Sequence, residues 1–143
     1  MGDKRTTVLV VEDRENWRKT ICELLGSLDF EVLQASCGQE FRERALAADV
    51  ILLDISMPMA PGGPESKTAG LDVLLQLQEE HPGHAAIASP IVRSMWIPDD
   101  FKDWPPFKRL KYGGWVSRNE PTASLLDMIE KASTRREAEH GPR

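Results

Sequence analysis

The sequence predicts a single α/β domain in which a parallel sheet carries helices on both faces. Short runs such as TVLVV (7–11) and DVILLD (49–54) are apolar at successive positions, as strands covered on both sides are. The segments between strands space their apolar residues three and four apart, the period of one helix face. The two patterns alternate as β-α-β-α-β, and a helical crossover is the connection that parallel strands need. The 143 residues suit one domain, which at this size removes roughly 68–70% of its unfolded surface from water.

The first run, 7–11, meets two acids at Glu12 and Asp13, so its carboxyl end is acidic. From Glu15 to Leu28 the residues Trp17, Ile21, Leu24, Leu25 and Leu28 make one stripe of an amphipathic helix. FEVLQA (30–35) reads as a strand, Gln39 to Ala48 as a short helix, and 49–54 as a third strand that ends in Asp54. A loop rich in Pro and Gly, SMPMAPGGPESKTAG, leads to a helix over Leu71 to Glu80, stopped by His81-Pro82-Gly83. Pro90-Ile91-Val92 begins a fourth strand.

Beyond it the pattern breaks. WIPDDFKDWPPFKRLKYGG places Pro98, Pro105 and Pro106 where a fourth crossover helix belongs, and each interior proline costs a helix about 3 kcal/mol, so a turn or two at most is expected. Trp115-Val116-Ser117 makes a short last strand. Asn119 is a candidate cap and Pro121 suits the first turn of a final helix whose stripe is Leu125, Leu126, Ile129 and Ala132. That gives a core over about 7–131, and the charged end from 132 to 143 is expected to fray.

Composition narrows function. With 41% hydrophobic and 29% charged residues this is an ordinary water-soluble composition, without the apolar run of about 20 residues a bilayer span needs and without a signal peptide, so a cytoplasmic protein with no membrane partner is expected. A net charge of −5 supplies no global attraction for phosphate backbones, which disfavours direct nucleic-acid binding. Cys22 and Cys37 lack both the number for a disulfide framework and a zinc spacing, and read as reduced thiols.

Glu12, Asp13 and Asp54 end predicted strands, and in a parallel sheet those ends share one edge. Converging carboxylates raise one another's pKa unless a cation intervenes, and hard oxygen ligands suit Mg²⁺. Singly, each acid reads as well as a solvated loop residue, and Asp13 as the cap of the first helix. Their conjunction with DxxMP after the third strand, a hydroxyl (Ser94) after the fourth and a cation (Arg118) after the fifth carries the functional reading.

Through VLVVEDRENWRKTICELL, DVILLDISMPM, GLDVLLQL and PIVRS the chain, from about Thr7 to Lys131, resembles the CheY-like receiver domains of two-component response regulators. The resemblance implies a flavodoxin-like (βα)₅ doubly wound sheet of strand order 2-1-3-4-5, here with a shortened or irregular fourth helix. It implies phosphorylation of Asp54 by a sensor histidine kinase or phosphotransfer protein, Mg²⁺ held by Glu12, Asp13, Asp54 and the backbone carbonyl of Ser56, and Ser94 as the switch hydroxyl. A carboxylate attacking a phosphoryl group brings two anions together, so such a site needs a metal and fixed donors for the charge spreading over the equatorial oxygens.

Departures from the family pattern are as informative. Arg118 stands where the family has a lysine, exchanging a compact ammonium for a planar fork, or else is an exposed residue outside the site. Trp115 falls at the family's switch aromatic, a position equally suited to plain core packing. More residues separate Met57-Pro58 from Gly70 than the family's DxxMPxxxG allows, an insertion that costs only about 0.6 kcal/mol per doubling of loop length. The stretch from Trp96 to Trp115 holds six of the nine aromatics (Trp96, Phe101, Trp104, Phe107, Tyr112 and Trp115), as a plug over the sheet in place of the helix or as a partner anchor. Trp96, two residues past Ser94, is placed to overhang the acceptor.

Three functions follow. The first is a stand-alone receiver that speaks to an unknown downstream protein or to a second copy of itself. The second is a pseudo-receiver, an interaction module independent of phosphorylation. The third is a small phosphohydrolase resembling haloacid dehalogenase-like enzymes, disfavoured because Ser56 stands where those enzymes carry an acid two residues after the nucleophile.

Overall fold

The computed structural model describes residues 5–140, and of 135–140 only the backbone. In chain order it contains β1 (Thr7–Val11), α1 (Glu15–Ser27), β2 (Glu31–Ala35), α2 (Gly38–Arg44), β3 (Val50–Leu53), β4 (Met57–Pro58), β5 (Glu65–Ser66), α3 (Ala69–Glu80), α4 (Ala85–Ala88), β6 (Ile91–Ser94), β7 (Gly114–Ser117) and α5 (Thr122–His140). Five strands form one sheet in the order β2-β1-β3-β6-β7, and every pairing in it is parallel. With the small β4–β5 pair set aside, this is the 2-1-3-4-5 order expected from the sequence.

Alternation along the strands explains the two layers. Val8, Val10, Val50, Leu52, Ile91 and Val116 face one side and bury Ile21 and Leu25 of α1 with Leu125 and Ile129 of α5. Their neighbours Leu9, Val11, Ile51, Leu53 and Val92 face the other side and bury Phe41 of α2 with Leu71, Leu74 and Leu77 of α3. A strand with a helix layer on each face has no position left for water, hence the unbroken apolar runs.

Four local features differ from the sequence reading. The Pro/Gly-rich loop contains an antiparallel hairpin, β4–β5, in register Met57 with Ser66 and Pro58 with Glu65. Its turn is built by Pro61 and by Gly62, whose φ of 76° lies where only glycine sits without strain, and the Gly63 amide bonds the Ala60 carbonyl at 3.0 Å. After His81-Pro82-Gly83 the chain makes the extra turn α4, capped by the His84 ring, which accepts from the Ile87 amide at 3.4 Å. The final helix starts at Thr122 with the Pro121 carbonyl accepting its first bonds, so Asn119 does not cap it. It continues past the stripe to His140, and residues 141–143 of the tail lie outside the described residues.

Where the fourth crossover helix is absent, two 3₁₀ turns, Pro98–Phe101 and Pro105–Arg109, cover the sheet. Asp100 reaches back to the Ile97 amide at 2.8 Å and fixes the first of them. Phe101 is buried, and Trp96, Trp104, Phe107, Leu110 and Trp115 pack against the core beside it. The rings of Phe101, Phe107 and Tyr112 surround Trp115 at centroid distances of 5.9, 6.0 and 5.1 Å. The aromatic stretch is the plug. Among the described residues no helix is long and apolar enough to cross a membrane.

Candidate functional site

Parallel pairing puts the carboxyl ends of β1, β3, β6 and β7 on one edge, and the residues just past them meet there. Glu12 and Asp54 are buried, Asp13 is half-buried, and each offers a carboxylate oxygen within 4.8 Å of the others. Neither Asp13 nor any other side chain caps α1, whose preceding residue is Arg14. One oxygen of Asp13, Oδ1, is buried without a hydrogen-bond partner, an orphaned acceptor on a member of the acidic cluster. Hard oxygen donors and an unspent lone pair fit a divalent cation such as Mg²⁺.

The electrostatics agree. Burial first, then the neighbouring Asp54, push the Glu12 carboxyl from 4.5 up to about 8, against the opposing pull of the Arg14 amide and Arg118. Burial, then Glu65 and Asp54, also raise Asp13.

Arg118, just past β7, reaches the cluster. Its Nη2 donates to Oδ2 of Asp54 and lies 3.7 Å from Oε1 of Glu12. Burial works against its charge, yet Asp54 and Glu12 outweigh that and raise its pKa. The arginine is held in register by its own amide, which donates to the Ser94 carbonyl at 3.1 Å.

Ser94 is buried at the end of β6, and its Oγ accepts from the Trp96 amide at 2.9 Å, which leaves the hydroxyl proton to donate elsewhere. The Ser56 amide lies 3.3 Å from Oδ1 of Asp54, and the Ser56 hydroxyl donates to Glu65 on the hairpin at 3.1 Å. Trp115 donates from its indole nitrogen to the Trp96 carbonyl at 2.7 Å, linking the two aromatic positions. Trp96 is half-buried against the core, with the Lys67 ammonium 4.0 Å from its ring centroid.

Three residues at this edge escaped the sequence reading. Arg93 pairs with Glu12, Glu65 adds a carboxylate from the inserted hairpin, and Lys67 covers Trp96. An arginine at the next-to-last position of a buried strand was the available signal for Arg93, since such a charge is kept only when paired. The other two depend on how the inserted loop folds back.

No family model matches the chain, and no curated protein matches it. Solved structures do. A CheY-like response regulator receiver domain from Methanospirillum hungatei JF-1 superposes with a TM-score of 0.74 at 16% identity, over 95% of this chain and 99% of that one. The response regulator TrrA from Thermotoga maritima, solved in complex with Mg²⁺ and BeF, gives 0.66 at 21% identity over 89% and 98%. The chemotaxis response regulator CheY4 of Vibrio cholerae gives 0.68 at 20% identity over 90% and 99%. At these identities the likeness is one of fold.

Proposed function

We propose that this chain, which has the fold of CheY-like receiver domains, is itself a receiver that is phosphorylated on Asp54 from a phosphohistidine donor and signals by protein–protein contact. The observation that carries the reading is the meeting of Glu12, Asp13 and Asp54 within 4.8 Å at one sheet edge, with the Arg118 guanidinium on Asp54. Glu12, Asp13, Asp54 and the Ser56 carbonyl would hold Mg²⁺, which supplies positive charge where nucleophile and phosphoryl oxygens meet.

The chain's own groups do the rest. Asp54 is the nucleophile, its side chain oriented by the Ser56 amide and Arg118. The Ser94 hydroxyl and Arg118 donate to phosphoryl oxygens as charge builds on them. The Trp96 amide on Ser94 and the Trp115 indole on the Trp96 carbonyl link that hydroxyl to the aromatic plug, the route by which occupancy would alter the outer surface. A sensor histidine kinase or phosphotransfer protein is the donor, and a downstream protein or a second copy of the chain reads the surface.

One observation favours the second reading, an interaction module independent of phosphorylation: the chain's own donors already engage both oxygens of Asp54. Incubation with acetyl phosphate, or with beryllofluoride and Mg²⁺, separates the two. A mass gain of one phosphoryl group that Asp54→Asn abolishes, with a Mg²⁺-dependent change in tryptophan emission, is expected. Neither change in the wild type would leave the interaction module.

A further inference from the structure

Arg93 takes no part in the chemistry just described, yet it sits inside the site. Its side chain is 12% exposed, and Nη1 lies 3.5 Å from Oε2 of Glu12. Nη2 lies 3.4 Å from the carbonyl oxygen of Arg118, and the guanidinium rests 4.1 Å from the ring centroid of Trp17 on α1. The other oxygen of Glu12, Oε1, accepts from the Arg14 amide at 3.0 Å and lies 3.7 Å from Arg118. Both oxygens of Glu12 are therefore engaged by donors of the chain, while Asp13 keeps a buried oxygen free. Two guanidiniums face three carboxyl groups before any ion arrives.

We propose that Arg93 is a positioning residue that competes with a divalent cation for Glu12, so that this chain binds Mg²⁺ more weakly than its three carboxylates alone would, and that Trp17 reports the exchange. The inference rests on reading the acidic cluster as the metal site of a receiver. An ion drawn to Asp13 must either take Glu12 from Arg93 or share the pocket with a guanidinium of like charge, and both oppose binding. Because one planar group contacts both Glu12 and the Trp17 ring, any shift of the guanidinium away from the carboxylate alters the environment of the indole.

Mg²⁺ titrations without a phosphodonor, followed by calorimetry and tryptophan emission, test this in the full chain. Arg93→Met keeps an apolar stem against Trp17 and removes the charge, and should bind Mg²⁺ about tenfold more tightly than the wild type. Arg93→Lys keeps the charge and should stay within about twofold of it. The wild-type emission change should disappear in Trp17→Phe and shrink in Arg93→Met. If Arg93→Met lost its far-ultraviolet dichroism, Arg93→Gln would provide the uncharged comparison.

Wild-type binding with equal or weaker affinity in the uncharged variant overturns the role of Arg93 and leaves the receiver reading standing. No Mg²⁺ binding by wild type or variants overturns both.

Discussion

Arg118 donates from a single nitrogen to Asp54 while holding the same nitrogen 3.7 Å from Glu12, so one guanidinium serves two buried acids that follow different strands. Arg118→Ala leaves Asp54, only 3% exposed, without its cation. Breaking a buried pair costs about 3–5 kcal/mol, reduced here to roughly 1–3 because Arg93 still faces Glu12. Urea denaturation of Arg118→Ala should show that loss, and Arg118→Lys should recover most of it. Phosphorylation by acetyl phosphate should slow by about 10²-fold in the alanine variant, the size of one lost charge-stabilising donor.

Asp54→Asn tests the nucleophile and the charge balance together. The amide keeps the shape and cannot form an acyl phosphate, so the mass gain with acetyl phosphate should vanish. It gives up the attraction of Arg118 and relieves the repulsion of Glu12 and Asp13, two opposing effects. The thermal midpoint in chelator should therefore stay level or rise. A midpoint lower by many degrees would show that Arg118 holds Asp54 more strongly than its acidic neighbours repel it.

How much of this was legible in the sequence follows from which forces are local. The parallel sheet and both helix layers follow from period and apolar runs, because doubly covered strands leave an unmistakable pattern in residues such as Val8 to Val11 and Val50 to Leu53, whereas the strand order came only with the resemblance to receiver domains. The edge where Glu12, Asp13 and Asp54 meet follows from parallel pairing alone. What the sequence hid depends on the chain folding back on itself. The hairpin over 57–66 has arms of two residues each, too short for a period, and the Glu12–Arg93 contact joins residues 81 apart. The prolines did announce the missing helix, and the rings that replaced it show that the layer is filled by volume rather than by one kind of element.

The raised carboxyls give the protein a pH signature. Between 4.5 and about 8 folded Glu12 holds a proton that the unfolded chain has released, so stability falls as pH rises through that window. Asp13, also raised, acts in the same direction. Glu40, lowered by the Ser36 amide and hydroxyl, acts in the opposite sense and only as pH drops below the usual carboxylate value. Thermal melts in chelator should show the midpoint declining from pH 5 to pH 8. Excess Mg²⁺ should flatten that decline, because an ion bound by ionised carboxylates stabilises the state that high pH favours.

Gly70, in the first turn of α3, packs against the backbone of the acceptor loop. A Cβ at that position would lie 2.7 Å from the Ile55 Cα and 3.1 Å from the Asp54 carbonyl oxygen, and the Gly70 amide donates to the Ile55 carbonyl at 2.9 Å. Backbone cannot rotate aside as a flexible side chain can. Gly70→Ala should cost roughly 1–3 kcal/mol through overpacking and shift the loop that carries Asp54. Phosphorylation should slow by more than the folded fraction explains, whereas Gly26→Ala, with open space around its Cβ on α1, should leave both readouts unchanged or slightly improve stability.

The remade segment between β6 and β7 has to be anchored without a helix's own hydrogen bonds, and Gln78 on α3 provides the anchor. Its Nε2 donates to the Ile87 carbonyl at 2.9 Å and to the Lys111 carbonyl at 2.8 Å, while its Oε1 accepts from the Lys111 amide at 3.1 Å. One amide thus pairs one backbone group of α4 and two of the segment between β6 and β7, and each such bond contributes about 0.5–1.5 kcal/mol net. Gln78→Ala should lower stability by roughly 1–3 kcal/mol and hasten tryptic cleavage at Lys108, Arg109 and Lys111. The nearby Arg109–Glu79 pair, at 3.4 Å with both side chains more than half exposed, makes the control. Glu79→Gln should change stability by less than about 0.5 kcal/mol, because a solvated ion pair gives back in entropy and hydration most of what it gains in attraction. Equal cleavage rates in Gln78→Ala and the wild type would mean that the aromatic packing around Trp115 alone holds the segment down.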